Sequence, residues 1–188
     1  MSSEKLVIGV TGMPGSGKSI VLNVALQSSY ESVIMGDEVR EETRKRGLSP
    51  TPENIGKIMI ELRQTEGEAV IAKRCLPKIE KTARQKVAVD GIRSLSEVEE
   101  FRKSIKNFTL IAVHSSPETR FKRLFNRQRS DDPKGWMVFR ERDLRELGVG
   151  LGNAIAMSEY IIVNEGELNR TKEDVKAVLK KVEAKWMK

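Results

Sequence analysis

One cysteine, Cys75, and one histidine, His114, stand among the 188 residues. A lone thiol cannot close an internal disulfide. As a nucleophile it would need a nearby base, and His114 is the only imidazole, so Cys75 reads as a helix-packing residue. Zinc-finger spacing is absent, and so is any basic run interleaved with aromatics of the kind that grips nucleic acid. No apolar run is long enough to cross a bilayer. The short apolar run after Met1 to Lys5 is too brief for a signal peptide. These absences lead us to expect a cytoplasmic protein with no membrane partner.

What the chain does have is charge. There are 34 Lys and Arg against 27 Asp and Glu, a formal net charge of +7. Such an excess can serve nucleic acid, a membrane surface or a small polyanion. Here the arginines recur beside acids, a distribution that favours the small polyanion; an RNA partner is not expected but stays open. Hydrophobic residues at 38% and charged residues at 32% suit a globular chain and not a disordered one. The length fits one domain, 1–188, with room for a small insertion. Monomer and homodimer are both compatible with it.

Five short apolar stretches, 6–11, 32–35, 86–89, 109–114 and 160–163, read as buried strands. Helical patterns alternate with them, so the expected fold is α/β, with a five-stranded and largely parallel sheet flanked by helices. Ligands in such sheets bind beyond the carboxyl ends of the strands. Residues 38–84 contain no strand pattern and read as an inserted helical subdomain, broken at 47–52 and near Gly67. Ser94 with Glu97, and Thr171 with Asp174, have the spacing of capping boxes. Ser116 before Pro117 reads as an N-cap and first helical residue. Val175, Val178, Leu179, Val182 and Trp186 form one apolar stripe on the last helix.

The segment Gly12-Met13-Pro14-Gly15-Ser16-Gly17-Lys18-Ser19 fits G-x-x-x-x-G-K-[ST], between the first strand and the first helical pattern. That context is what a phosphate-binding loop requires. Glycines let successive N–H groups turn inward at phosphate oxygens, and the helix N-terminus adds partial positive charge. Lys18 can reach the β- and γ-phosphates of ATP, and the Ser19 hydroxyl can ligate Mg²⁺.

Acids and arginines gather at the other strand ends. The run 87–89 leads into Asp90-Gly91-Ile92-Arg93, and an acid there is placed to hold Mg²⁺ through water. The run 33–35 leads into Gly36-Asp37-Glu38-Val39-Arg40. A third group comprises Arg120, Arg123, Arg127, Arg129, Asp131, Asp132 and Arg140. The first three are spaced three and four apart, on one helical face.

Together these segments resemble the nucleoside monophosphate kinases, above all adenylate kinase and related proteins of unassigned substrate. The resemblance runs in motif order over roughly the first 165 residues. It implies that Arg40 and Arg93 grip the phosphate of an acceptor, with Asp37 beside them, and that Asp90 serves Mg²⁺. It also implies that Arg123 and Arg127 lie at the base of a lid, 120–142, which carries Arg129 and Arg140. Lys18, Arg127, Arg129 and Arg140 would offset charge on the transferred group, and Arg123 would belong to the ATP side. The lid is a short helical one, with no large insertion, and no residue matches the glutamine that reads the acceptor adenine; Glu97 or Glu99 lies in that neighbourhood. The turn 160–166 is similar to one in dephospho-coenzyme A kinase. The expected activity is transfer of a phosphoryl group from Mg-ATP to a small phosphorylated acceptor. Two alternatives remain: a coenzyme-precursor kinase with Asp37 as base, and a nucleotide-dependent binding protein or slow ATPase.

Overall fold

The structure is a computed structural model that describes residues 3–129 and 132–187. Asp131 of the arginine-rich group lies outside the described residues. Five parallel strands form one sheet in the order β2-β3-β1-β4-β5. They are β1 (Ser3–Thr11), β2 (Glu31–Ile34), β3 (Lys86–Asp90), β4 (Ile105–His114) and β5 (Tyr160–Val163). The sequence places β2 one residue late: Met35 is not its last residue but the first of helix α2 (Met35–Lys45).

Side chains alternate across the sheet, as the two-residue period of a strand requires. Along β1, Leu6, Ile8 and Val10 pack on one face under α1 (Lys18–Gln27) and α9 (Leu168–Trp186). Val7 points to the other face, into a second core with α3 (Pro52–Glu66), α4 (Val70–Lys81) and α5 (Leu95–Ser104). Cys75 is fully buried in that second core, and burial pushes its thiol up to about 12, so it is a packing residue in chemistry as well as position.

The strandless stretch folds as α2, α3 and α4, with Gly47 and Gly67 in the breaks between them. The hydroxyl of Thr51 caps α3, Ser94 caps α5 by accepting from the Glu97 N–H, and Ser116 caps α6 (Pro117–Arg127). The second capping box does not form. Helix α9 begins three residues earlier, at Leu168, and Thr171 is a buried residue whose hydroxyl donates to Asn164 Oδ1. The same hydroxyl also reaches the Glu167 carbonyl at 3.4 Å. The lid segment is a helical pair, α6 and α7 (Trp136–Gly148), followed by the short α8 (Leu151–Ala156). Phe121, Trp136 and Phe139 pack ring on ring between α6 and α7, with centroids 5.2–5.5 Å apart. Among the described residues no helix is long and apolar enough to cross a membrane.

Candidate active site

Strand β1 lies between β3 and β4, so the chain's crossovers reverse direction beside it. The crevice at that reversal is where an open α/β sheet takes its ligand. Gly12 to Gly17 leave β1 there and enter α1 at Lys18. Gly12 and Gly17 have φ of 142° and 99°. A Cβ on Gly12 would meet the Val113 carbonyl oxygen at 2.4 Å, and one on Gly17 would meet Asn164 Nδ2 at 2.1 Å. The glycines therefore serve close packing as well as the turn. Asn164 Nδ2 donates to the Ser16 carbonyl at 2.8 Å, and Ser115 Oγ donates to Ser16 and Asn164 carbonyls.

Lys18 Nζ donates to the carbonyls of Gly12 at 2.7 Å and Met13 at 3.3 Å. Burial lowers its pKa to about 8, against the opposing pull of Asp90. Asp90 ends β3 directly opposite Val10 of β1. Burial raises its pKa, and Lys18 and Arg93 work against that rise. Its Oδ1 is buried with no hydrogen-bond partner, as is Ser16 Oγ. Buried polar atoms are ordinarily paired, so the orphaned oxygen of Asp90, a residue that lines the cleft, marks a place for something polar. Ser19, the second residue of α1, is exposed.

A cleft of about 460 Å³ opens from this loop toward α2 and α3. Its walls include Gly12, Pro14, Gly15, Lys18, Asp90, Arg40, Arg93, Arg127 and Arg129. The structure thus brings together the loop, the acid at the end of β3 and four of the arginines singled out from sequence. Arg40 donates to Asp37 Oδ1 through Nε at 3.0 Å and Nη2 at 2.6 Å. Arg93 Nη1 donates to both oxygens of Glu146 on α7, at 3.0 and 3.2 Å. Arg127 pairs with Asp132, which also accepts the Arg129 N–H and is held below the usual carboxylate range mainly by Arg127.

One expectation needs correction. Arg140 is exposed and is not a wall of the cleft; Arg142, two residues on and so across α7, is. Arg123 is not a wall of the cleft; it donates to Ser115 Oγ at 2.9 Å and to the Asn164 carbonyl at 3.0 Å. Arg120 is not poised for a ligand either. It is buried, stacks over Phe139, donates to the Pro14 carbonyl and forms a fork with Asp143 at 2.5–2.8 Å. It fixes α7 to the phosphate loop. Sequence reading also missed Arg63, Arg142 and Glu146, all of which line the cleft. The partners Arg63–Glu97 and Arg93–Glu146 lie 34 and 53 residues apart, beyond any local signal. Of the two glutamates near the acceptor side, Glu97 lines the cleft and is buried, whereas Glu99 is exposed.

Comparison with other proteins bears on the fold and the family. A family model described as an AAA domain matches residues 11–140. A shikimate kinase structure from Bacteroides thetaiotaomicron superposes with a TM-score of 0.59 at 14% identity, covering 93% of this chain and 98% of that one. A gluconokinase structure from Sinorhizobium meliloti gives 0.58 at 14%, covering 97% and 95%. The chain has the α/β fold of the P-loop kinases. It belongs to the UPF0200 family: the UPF0200 protein of Methanocaldococcus jannaschii is 54% identical over 162 residues, 85% of this chain and 82% of that protein.

Proposed function

We propose that this protein is a phosphotransferase that moves the γ-phosphoryl group of Mg-ATP to a small phosphorylated acceptor, with a nucleoside monophosphate favoured. One observation carries the reading: a single cleft joins the phosphate loop and an unpartnered carboxylate oxygen of Asp90 to six arginines, Arg40, Arg63, Arg93, Arg127, Arg129 and Arg142. The lining holds seven basic side chains and three acidic ones, an excess suited to two phosphorylated ligands and not to one neutral substrate.

The loop amides and Lys18 bind the donor phosphates. Asp90 and the Ser19 hydroxyl would hold Mg²⁺, and the orphaned Asp90 Oδ1 fits that task. When bound, the ion neutralises charge on the β- and γ-phosphates. Arg40 and Arg93 orient the acceptor phosphate. Their pairs with Asp37 and Glu146 are partly exposed, and such pairs are worth about 0–1 kcal/mol. A charge-assisted arginine–phosphate contact contributes about 1.5–3 kcal/mol, so phosphate displaces the carboxylates. Arg127, Arg129 and Arg142 then face the transferred group from the lid side, and Arg142 takes the place expected of Arg140. With an anionic acceptor no base is required.

In a hydroxyl-accepting kinase Asp37 would have to act as base. Its Oδ1 is already engaged by two hydrogen bonds from Arg40, so a neutral acceptor, which brings no phosphate to draw Arg40 away, would find that oxygen occupied. The deciding experiment offers nucleotides and coenzyme precursors with Mg-ATP and measures ADP and phosphorylated product together. Transfer to a monophosphate supports the proposal. Product from an unphosphorylated alcohol alone, or ADP without product, replaces it with the kinase or ATPase alternative.

A further inference from the structure

The wall of the cleft on the α3 side is apolar except at one point. Ile55, Met59 and Arg63 follow one another at four-residue spacing along α3, and all three line the cleft with Ile71 and Ile92. Arg63 is 8% exposed, and its Nη2 donates to Glu97 Oε1 at 2.8 Å. The other Glu97 oxygen accepts the Arg93 N–H at 2.8 Å. Glu97 therefore has both oxygens engaged, while Arg63 keeps one donor unmet: its buried Nε has no hydrogen-bond partner. A guanidinium carries five N–H donors and no acceptor, and it cannot shed its proton to relieve the mismatch. Leaving such a donor unmet in an apolar wall is unfavourable, so the vacancy calls for a hydrogen-bond acceptor arriving with a flat, apolar body.

Resting on the monophosphate reading above, we propose that Arg63, oriented by Glu97, reads the base of the acceptor nucleotide and selects a base that presents a carbonyl oxygen over one that presents an amino group. The fork of an arginine matches the adjacent carbonyl and ring nitrogen of a 6-oxopurine. An adenine brings an N–H donor to the same place, where it meets another donor. The Ile55, Met59, Ile71 and Ile92 side chains receive the ring faces, and Arg40 and Arg93 hold the phosphate at the other end.

Inosine monophosphate and adenosine monophosphate differ only in the group at C6 and its associated ring proton, so they form the central test. With saturating Mg-ATP, kcat/KM for inosine and guanosine monophosphates exceeds that for adenosine monophosphate by about tenfold or more. Arg63→Lys, which keeps the charge beside Glu97 but loses the fork, removes the preference while the KM for ATP stays within about twofold. Circular dichroism checks that this variant folds. The wild-type comparison of the two purines stands without it. A wild-type enzyme that uses adenosine monophosphate as well as the oxopurines overturns the inference and leaves the phosphotransferase proposal intact, as does an Arg63→Lys variant that folds and keeps the preference. No transfer to any nucleoside monophosphate, with normal Mg-ATP binding, overturns both.

Discussion

The two halves of the cleft are held by different means. The donor half is a backbone object: glycines at positive φ, a helix N-terminus, and carbonyls clamped by Asn164, Ser115 and Arg120. The half proposed for the acceptor and lid relies on side-chain ion pairs: Arg40–Asp37 within α2, Arg93–Glu146 between the turn after β3 and α7, and Arg127–Asp132 between the end of α6 and the turn beyond it. A backbone cradle is preorganised and keeps its shape without ligand. Half-exposed ion pairs keep the arginines placed but release them to a better anion. On the proposed function, the difference means that the loop would set where ATP sits, whereas exchange of carboxylate for phosphate would set when the arginine side engages. Two pairs are outside this exchange. Arg63–Glu97 and Arg120–Asp143 are buried, and removing one partner of such a pair costs on the order of 3–5 kcal/mol.

The comparison breaks most sharply at the donor half. Lys18→Ala should lower kcat/KM for ATP by about 10²–10³, the loss expected for a charge-stabilising donor in a preorganised site. Thermal unfolding should stay close to wild type, because Lys18 is bonded only to loop carbonyls. Steady-state kinetics with a melting curve checks both. A folded variant with ordinary kinetics would remove the loop from the mechanism.

The acceptor half should respond less and differently. Arg40→Ala and Arg93→Ala should each raise the acceptor KM by about tenfold to a hundredfold, from about 1.5–3 kcal/mol of lost phosphate contact. The KM for ATP should change little. If both variants lose ATP and keep the acceptor, the two halves have been assigned the wrong way round. Each substitution frees a carboxylate, but Glu146 is 12% exposed against 54% for Asp37, so Arg93→Ala should exceed Arg40→Ala in effect.

These halves also differ in how far the sequence reveals them. The loop was legible because its chemistry lies in eight consecutive residues between a strand and a helix. Four strands and the helical stretch 38–84 were legible from apolar period and glycine breaks, with β2 off by a residue where Met35 continues the apolar run into α2. The ion-paired half was legible only as a supply of arginines. Which carboxylate each one meets depends on packing of α7 and α3 against distant turns, as with Arg93–Glu146, Arg63–Glu97 and Arg120–Asp143. The misplaced start of α9 differs in kind: the Thr171 hydroxyl donates to Asn164 Oδ1 in the turn after β5 and reaches the Glu167 carbonyl at the start of its own helix, so it does not act as an N-cap.

A pH titration sharpens the contrast, because the donor half contains the group with the larger displaced pKa. Lys18 sits at about 8 in the free protein. Above that pH the free protein loses the proton that phosphate needs, so ATP affinity falls as pH rises. At pH 9 about one Lys18 in ten stays charged, and affinity should be about tenfold weaker than at pH 7. Bound phosphate raises the pKa again, so binding near pH 8.5 should take up protons. Calorimetry in two buffers of different ionisation enthalpy measures that uptake. Affinity unchanged between pH 7 and pH 9 would mean that Lys18 stays protonated in the free loop.

The smallest effect tests the lid. Arg140 and Arg142 sit two residues apart on α7, and so point to nearly opposite sides of the helix. Arg142 lines the cleft close enough to Lys18 to depress its pKa, whereas Arg140 faces solvent. Helix α7 is also pinned by the Arg120–Asp143 fork and by Phe139, which is 1% exposed, so rotating it would break buried contacts. Arg140→Ala should therefore change kcat/KM by less than about twofold, in keeping with an exposed surface substitution. Arg142→Ala should lower kcat and kcat/KM together, by about tenfold, as loss of a transition-state contact does. Kinetics of the two variants side by side separate the cases. A tenfold loss in Arg140→Ala with Arg142→Ala silent would require α7 to turn over when ligands bind. The Arg120–Asp143 fork would then be a latch that opens in every catalytic cycle, not a fixed pin.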